Sequence, residues 1–255
     1  MEINVNIQSY RHIGKKEKFF DNIGFNIDSN GIYFLIGSSG IGKTTLLNIM
    51  LGLNEGDFDG KIIFKKDNKE YSPVVKRKTG LNVKEQGLIG YASQDSTLIP
   101  WINVEKNLLL PSKINKNLSV PSREDIVQIL TALNFDASNV EDILQQYSDK
   151  LSFGMKARIG LARVLLYNPS FLILDELFTG TDSYTNECIC KHLKEKENDM
   201  IIFCVSHNEE MAFEIAKKIS VLNNSKKRQL DSFLKTDFDT KEKQLELNIK
   251  QLLKN

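Results

Sequence analysis

A chain of 255 residues with 41% hydrophobic content can bury a full core, as one domain or as one domain with a subdomain. A net charge of +1 argues against a dedicated nucleic-acid binder, and apolar runs of six or seven residues fall far short of the roughly 20 that a membrane-spanning helix needs. Cys188, Cys190 and Cys204 are odd in number and lack metal-ligand spacing, so they read as reduced packing residues of a cytosolic protein, and the start at Met1 lacks the charged and apolar blocks of a signal peptide.

Taken in chain order, Ile3, Val5 and Ile7 alternate as a half-buried strand does, and Phe25 and Ile27 suggest a second. An apolar run over 31–36 reads as a buried strand, and 45–51 as an amphipathic helix. Between them lie Gly37, Ser38, Ser39, Gly40, Ile41, Gly42, Lys43, Thr44 and Thr45, in the spacing G-x-x-x-x-G-K-[ST] of a phosphate-binding loop. Such a backbone curls around a phosphate with successive N–H groups inward, and side chains at Gly37, Gly40 and Gly42 would obstruct it. The helix N-terminus adds its positive end, Lys43 a charge for the β- and γ-phosphates, and the Thr44 hydroxyl a ligand for Mg²⁺. The alternative is an ordinary glycine-rich turn. The register of strand, loop and helix favours nucleoside triphosphate binding.

Farther on, 61–64 reads as a strand, and the polar, basic stretch 65–86, with Lys76, Arg77 and Lys78, as a solvated surface loop. Helices are expected over 104–110, 123–133 and 140–144, the second capped by Ser122. Helix and strand then alternate: helix 153–167, strand 171–174, helix 183–197, strand 200–205, helix 209–217, strand 219–222. That rhythm implies a parallel sheet with crossover helices. From residue 223 the chain is polar, with a helix expected over 241–253, and no repeats occur.

The strand at 171–174 runs into Asp175 and Glu176. Ligands bind beyond the carboxyl ends of parallel strands, so Asp175 is a candidate to hold Mg²⁺ and Glu176 to accept a proton from an attacking water. By itself an apolar strand ending in two acids is equally a solvated strand end. The strand at 200–205 ends likewise, in Ser206 and His207.

Leu151, Ser152, Phe153, Gly154 and Met155 resemble the ABC ATPase signature, which usually reads Leu-Ser-Gly-Gly-Gln. The rest of that family's pattern follows in order. Gln94 resembles the Q-loop glutamine, Asp182 the D-loop aspartate, His207 the switch histidine, and Tyr10 the aromatic that stacks on adenine. The resemblance implies an α/β P-loop NTPase with a RecA-like core, an antiparallel β-subdomain and an α-helical subdomain. It implies an ATPase domain over 1–222, a helical part at about 95–160, and a tail over 223–255. Two such domains sandwich two ATPs, each site pairing one chain's phosphate loop with its partner's signature. Ser152 then offers a hydroxyl, and Gly154 an unobstructed N–H at a helix start, to the γ-phosphate across the dimer, with Met155 beside them.

The chain departs from the family pattern at Phe153, Met155 and Leu177, where glycine, glutamine and proline are usual. These departures bear on hydrolysis rate more than on ATP binding. The stretch from Gln94 through Trp101 to Asn107 resembles the ATPases of the nitrate, sulfonate and taurine import family. The resemblance therefore implies ATP and Mg²⁺ as cofactors and a homodimer or paired cassette as the assembly. It also implies integral-membrane permease subunits as partners, a peripheral place on the cytoplasmic face of the membrane, and small-solute import. An exporter or lipid-release ATPase keeps the fold and changes the job; a slow ATP-binding regulator is the rival from another class.

Overall fold

In a computed structural model the chain is described over residues 1–73, 87–93, 98–178, 182–207, 209–223 and 230–234. They fall in two compact units, Met1–Val83 with Phe203–Asn255, and Lys84–Ile202.

The first unit opens with β1 (Glu2–Arg11) and β2 (Phe20–Ile27), an antiparallel pair that buries Ile3, Val5, Ile7, Ile23 and Ile27. Alternate side chains go in because successive Cβ atoms point to opposite faces of the sheet. β3 (Gly31–Ile36) is buried at every position, the pattern of a strand covered on both faces, and leads to α1 (Lys43–Met50). β4 (Asp57–Lys66) and β5 (Lys69–Tyr71) complete a four-stranded sheet of order β2-β1-β4-β5. Part of the stretch expected as loop is thus strand: Lys65 and Glu70 pair across β4 and β5, and polar side chains hid a ladder whose outer face is wet. The Lys76–Arg77–Lys78 run and Gln94 lie outside the described residues.

β1 contains one irregularity with large consequences. Its register against β4 slips between Ile7 and Ser9, and opposite Gln8, on β2, Asn22 adopts φ 58°. Asn tolerates this left-handed backbone better than most residues, and a bulge re-aims the side chains that follow it. Inward alternation at Ile3, Val5 and Ile7 accordingly changes phase, and Tyr10 rather than Ser9 turns into the core.

The second unit holds β6 (Ile89–Ser93), the helices α2 (Val104–Leu108), α3 (Leu110–Ile114), α4 (Arg123–Ala132), α5 (Val140–Gln145) and α6 (Phe153–Leu165), then β7 (Phe171–Asp175) and α7 (Ser183–Lys196). β6 and β7 pair in parallel, so this unit is wider than the helical segment 95–160. The expected helix 104–110 is split at Leu109 because Pro111 occupies the first turn of a new helix, where its missing N–H is harmless. α4 carries a full capping box: Ser122 accepts from the Asp125 N–H, and Asp125 accepts from the Ser122 N–H. Asn107, 1% exposed, staples the 99–103 turn by donating to the carbonyls of Ile99, Ile102 and Asn103.

β8 (Ile201–Ser206) starts in the second unit, where the Ile201 N–H donates to the Ser170 carbonyl, and continues in the first. There follow α8 (Glu209–Ile215), β9 (Lys218–Leu222), parallel to β3, and β10 (Leu230–Leu234), antiparallel to β9. Within the first unit the order is β10-β9-β3-β8. β10 was not anticipated, its Leu-Asp-Ser-Phe-Leu sequence lacking clean alternation. The helix expected over 241–253 lies outside the described residues.

Candidate functional site

In the first unit, buried β3 delivers the chain directly into the phosphate loop, and the three glycines serve three different purposes. A Cβ on Gly37 would come within 2.8 Å of the Leu222 carbonyl oxygen, so packing against β9 excludes it. Gly40 has open space around it but sits at φ 76°, a backbone that side chains disfavour. Gly42, at φ 116°, caps α1, and a Cβ there would meet the Phe19 ring at 2.6 Å. Each glycine is thus required by its own local geometry within the chain.

Lys43 is 6% exposed, and its Nζ donates to the carbonyls of Gly37 at 2.7 Å and Ser38 at 3.2 Å. The ammonium therefore pins the loop shut upon itself. The Ile41 N–H donates to the Ser38 carbonyl, tightening the curl, while Ser38, Ser39, Gly40 and Thr44 are exposed and Thr45 is half-buried. An amide-lined curl, a helix N-terminus and one ammonium make a cradle for a polyphosphate. His207, just past β8, is exposed, and Ser206 before it is 1% exposed.

Tyr10 is 4% exposed and buried among rings. Its centroid lies 5.1 Å from that of His12 and 6.5 Å from that of Phe19, both edge-on, and 6.3 Å from Phe20. On another side lies Gly56, where a Cβ would come within 2.7 Å of the Tyr10 ring. Burial pushes the Tyr10 phenol up from its ordinary range, against the lowering effect of a backbone hydrogen bond at Gly56.

In the second unit, Asp175 ends β7 at 6% exposure and accepts from the Tyr91 hydroxyl at 3.3 Å. Tyr91 sits on β6, paired with Ile173. Glu176 follows at φ 52°, an uncommon conformation for any residue with a Cβ. Leu177 and Phe178, at 1% and 5% exposure, anchor the chain on the far side and hold that conformation in place. Leu177 thus fills a core position where the family usually has proline.

Ser152 is the N-cap of α6, its hydroxyl accepting from the Met155 N–H at 3.2 Å. Phe153 is 44% exposed, and Gly154 and Met155 are half-buried. Asp182 caps α7, accepting from the Thr185 N–H at 2.9 Å and the Thr185 hydroxyl at 2.7 Å. Those two bonds, with Arg158 nearby, hold its carboxyl below the usual carboxylate range.

Arg158 ties these pieces together, and sequence reasoning missed it. One turn after Gly154, its guanidinium donates to the Gly154 carbonyl at 3.4 Å, to Leu133 at 3.1 Å and to Asn134 at 2.6 Å, and lies 4.3 Å from the Phe135 ring centroid. The Asn134 side chain donates to the Thr185 hydroxyl. The signature segment, the turn after α4 and the start of α7 are thus joined by one network. The spacing of Arg158 from Gly154 was visible in the sequence; its acceptors, 24 and 25 residues away, were not. Arg158→Ala leaves partly buried carbonyls without their donor, so it should lower folding stability by about 1–3 kcal/mol. Urea denaturation checks this, with Arg158→Lys, which keeps the charge but not the fork, expected between.

A loop closed by its own lysine at a helix start, with an acid pair at a parallel strand end, defines the class: a phosphate-loop nucleotide-binding cassette. The sequence matches the ABC transporter family over residues 20–179, and the chain belongs to that family. The sulfate/thiosulfate import ATP-binding protein CysA of Mannheimia succiniciproducens is 31% identical over 212 residues, covering 82% of this chain and 56% of that protein. The aliphatic sulfonates import ATP-binding protein SsuB of Bacillus licheniformis is 27% identical over 230 residues, covering 87% of this chain and 79% of that protein. The chain therefore spans little more than half the length of CysA. Among solved structures, the ATP-binding cassette MJ0796, a dimer in a post-hydrolysis state bound to ADP and Pi, matches with a TM-score of 0.76 at 23% identity. The match covers 92% of this chain and 99% of that one, and it shows that the fold is that of an ABC cassette.

Proposed function

We propose that this chain is the ATP-binding and ATP-hydrolysing subunit of an ABC transporter, powering import of a small solute through separate integral-membrane permease subunits. The observation that carries this reading is the phosphate loop pinned by Lys43 at the head of α1. The relatives, import ATP-binding proteins for sulfate/thiosulfate and for aliphatic sulfonates, support the direction and the solute class.

In this reading the amides of 37–42 and the Lys43 ammonium bind the triphosphate, with Ser38, Ser39 and Thr45 at the loop's rim. Mg²⁺ takes oxygen ligands, and the Thr44 hydroxyl and Asp175 carboxylate are donors of that kind, as is the Gln94 carbonyl. When bound, the ion neutralises phosphate charge. Glu176 accepts the proton of the attacking water, and His207 orients the γ-phosphate. A second copy, or a like cassette, supplies Ser152, Gly154, Met155 and Asp182 to close each site. Because ATP favours the closed dimer and ADP does not, hydrolysis drives the cycle.

Among the described residues no helix is long and apolar enough to cross a membrane. In this reading the membrane step falls to the permease, and this chain sits peripherally on its cytoplasmic side. Trp101, 77% exposed on the turn stapled by Asn107, is the residue offered to that partner; Asn103 beside it bridges to Tyr147, 47% exposed. Packing within the chain does not account for Trp101 at that exposure.

Ser152→Ala tests the arrangement. Losing one hydrogen bond to a charged phosphate should lower turnover of the assembled transporter roughly 10- to 100-fold and leave ATP affinity of dilute monomer unchanged. Weakened binding to monomer would show that Ser152 acts within its own chain. Full-rate turnover without any permease would instead favour a soluble ATPase.

A further inference from the structure

Strand β6 is clamped from one face and reaches Asp175 from the other. Gly90 lies so close to the end of α6 that a Cβ there would come within 2.2 Å of Val164 Cγ1 and 2.9 Å of Pro169 Cγ. Only glycine allows that approach, and it fixes the strand against the helix. Successive side chains point to opposite faces, so Tyr91 leaves the sheet on the side away from Val164. β6 and β7 run parallel, with Tyr91 opposite Ile173 and Ser93 opposite Asp175. Asp175 is thus two residues beyond the partner of Tyr91, on the same face and on the diagonal. Diagonal neighbours in a sheet stand roughly 7–8 Å apart, a gap that an aromatic side chain spans and a short one does not. The Tyr91 hydroxyl completes the span and donates to Asp175 Oδ2 at 3.3 Å. Phenylalanine there would fill the same space and donate nothing.

The Asp175 carboxylate is 6% exposed at the end of β7. An acid shut away from water is stable as an anion only when hydrogen bonds or a cation compensate its charge. In the reading above the cation is Mg²⁺, which demands a near-ideal octahedron of oxygen donors and so discriminates against a carboxylate that is free to turn. An ionised carboxylate offers about four lone-pair sites, and the Tyr91 hydroxyl takes one of them. Two effects then oppose each other. The O–H draws charge from the carboxylate and weakens its hold on an ion; it also fixes the carboxylate's rotation and strengthens that hold. At 3.3 Å the bond exceeds the roughly 2.5–3.0 Å usual for O–H···O, so little charge is drawn. Direction wins, because the strand that carries the hydroxyl is clamped at Gly90.

We propose that Tyr91 is a positioning residue for the metal: its hydroxyl holds the Asp175 carboxylate in the orientation that receives Mg²⁺ with the nucleotide. This rests on the nucleotide-binding reading above. Tyr91 acts through Asp175 and takes no part in proton transfer. Groups that hydrogen-bond a metal-ligating side chain contribute about 10- to 100-fold to metal affinity, and the long bond puts Tyr91 at the low end of that range.

The test uses the full chain and measures ATP affinity by calorimetry, once with excess Mg²⁺ and once with EDTA, for wild type, Tyr91→Phe and Tyr91→Leu. Phenylalanine removes the hydroxyl alone. The expected result is that Tyr91→Phe loses about 10-fold in ATP affinity with Mg²⁺ and keeps wild-type values for affinity in EDTA and for the urea midpoint. Tyr91→Leu, which loses the ring as well, should show the same metal defect with a lower urea midpoint. Mn²⁺ in place of Mg²⁺ reads the ion directly: with ATP present, its free-ion paramagnetic signal should vanish only at about 10-fold higher concentration of Tyr91→Phe than of wild type. Wild-type affinity with Mg²⁺ in Tyr91→Phe overturns the proposal, and so does an equal loss with and without the ion, which would make Tyr91 a support of the fold or of the nucleotide. Wild type that binds ATP equally in Mg²⁺ and in EDTA overturns it too. Wild type that binds no ATP under either condition refutes the nucleotide-binding reading itself, and this inference with it.

Discussion

Glu176→Gln should cut ATP turnover by about 10²–10⁴-fold, the usual contribution of a positioned general base. Glutamine keeps the shape of the side chain but takes up no proton at neutral pH. The backbone at Glu176 is held at φ 52° by the buried pair Leu177 and Phe178, so glutamine inherits the same position. A residue with a Cβ persists in that region only when its surroundings hold it there, which is how active sites store a fixed orientation. ATP affinity should persist or rise, because one negative charge near the γ-phosphate is gone. Binding without hydrolysis keeps the nucleotide sandwich shut, so the variant should form an ATP-dependent dimer visible by light scattering. Equal slow turnover in wild type and variant, with the permease present, would remove Glu176 from the role of base and favour an ATP-binding regulator. The departures at Phe153, Met155 and Leu177 make that comparison worth running first.

Lys43→Ala should abolish measurable ATP binding. Each charge-assisted hydrogen bond it makes contributes roughly 1.5–3 kcal/mol, and two contacts to phosphate oxygens already correspond to a loss of about 10²–10⁴-fold. The substitution acts twice. It removes the ammonium, and it frees the Gly37 and Ser38 carbonyls that the Nζ pins at 2.7 and 3.2 Å, so the curl loosens before any nucleotide arrives. Lys43→Met separates the two effects in part, since its side chain refills the buried space left by the lysine stem. Titration with a fluorescent nucleotide checks both variants, and near-wild-type affinity in either would refute the phosphate-loop assignment.

Much of the candidate site was legible because its chemistry is local in sequence. The phosphate loop is nine contiguous residues between a strand and a helix, so spacing alone specified the cradle, and Lys43 sits where that spacing requires. The Ser122 cap, the Ser152 cap and the acids at the end of β7 are also short-range features, each readable from neighbours within four residues. Structural reasons that act at a distance were not readable. Gly37 is required by a carbonyl of Leu222, and Gly42 by the ring of Phe19. Arg158 is useful only because the turn after α4 brings the carbonyls of Leu133 and Asn134 to it.

The sequence by itself therefore determined the class of protein, the phosphate-loop segment between β3 and α1, the strand that ends in Asp175 and Glu176, and the helix opened by Ser152. These depend on residue type and on periods of two and 3.6, which short segments carry in full. Only the tertiary structure decided which way Tyr10 faces, which rings stand beside Gly42, and that Arg158 links the signature segment to the start of α7. A single unpaired residue at Gln8 shifts the alternation of β1 by one, and composition gives no sign of it. In a strand of period two, one extra residue exchanges inside for outside for every side chain that follows, so the face that Tyr10 presents is settled by pairing with β2 and β4.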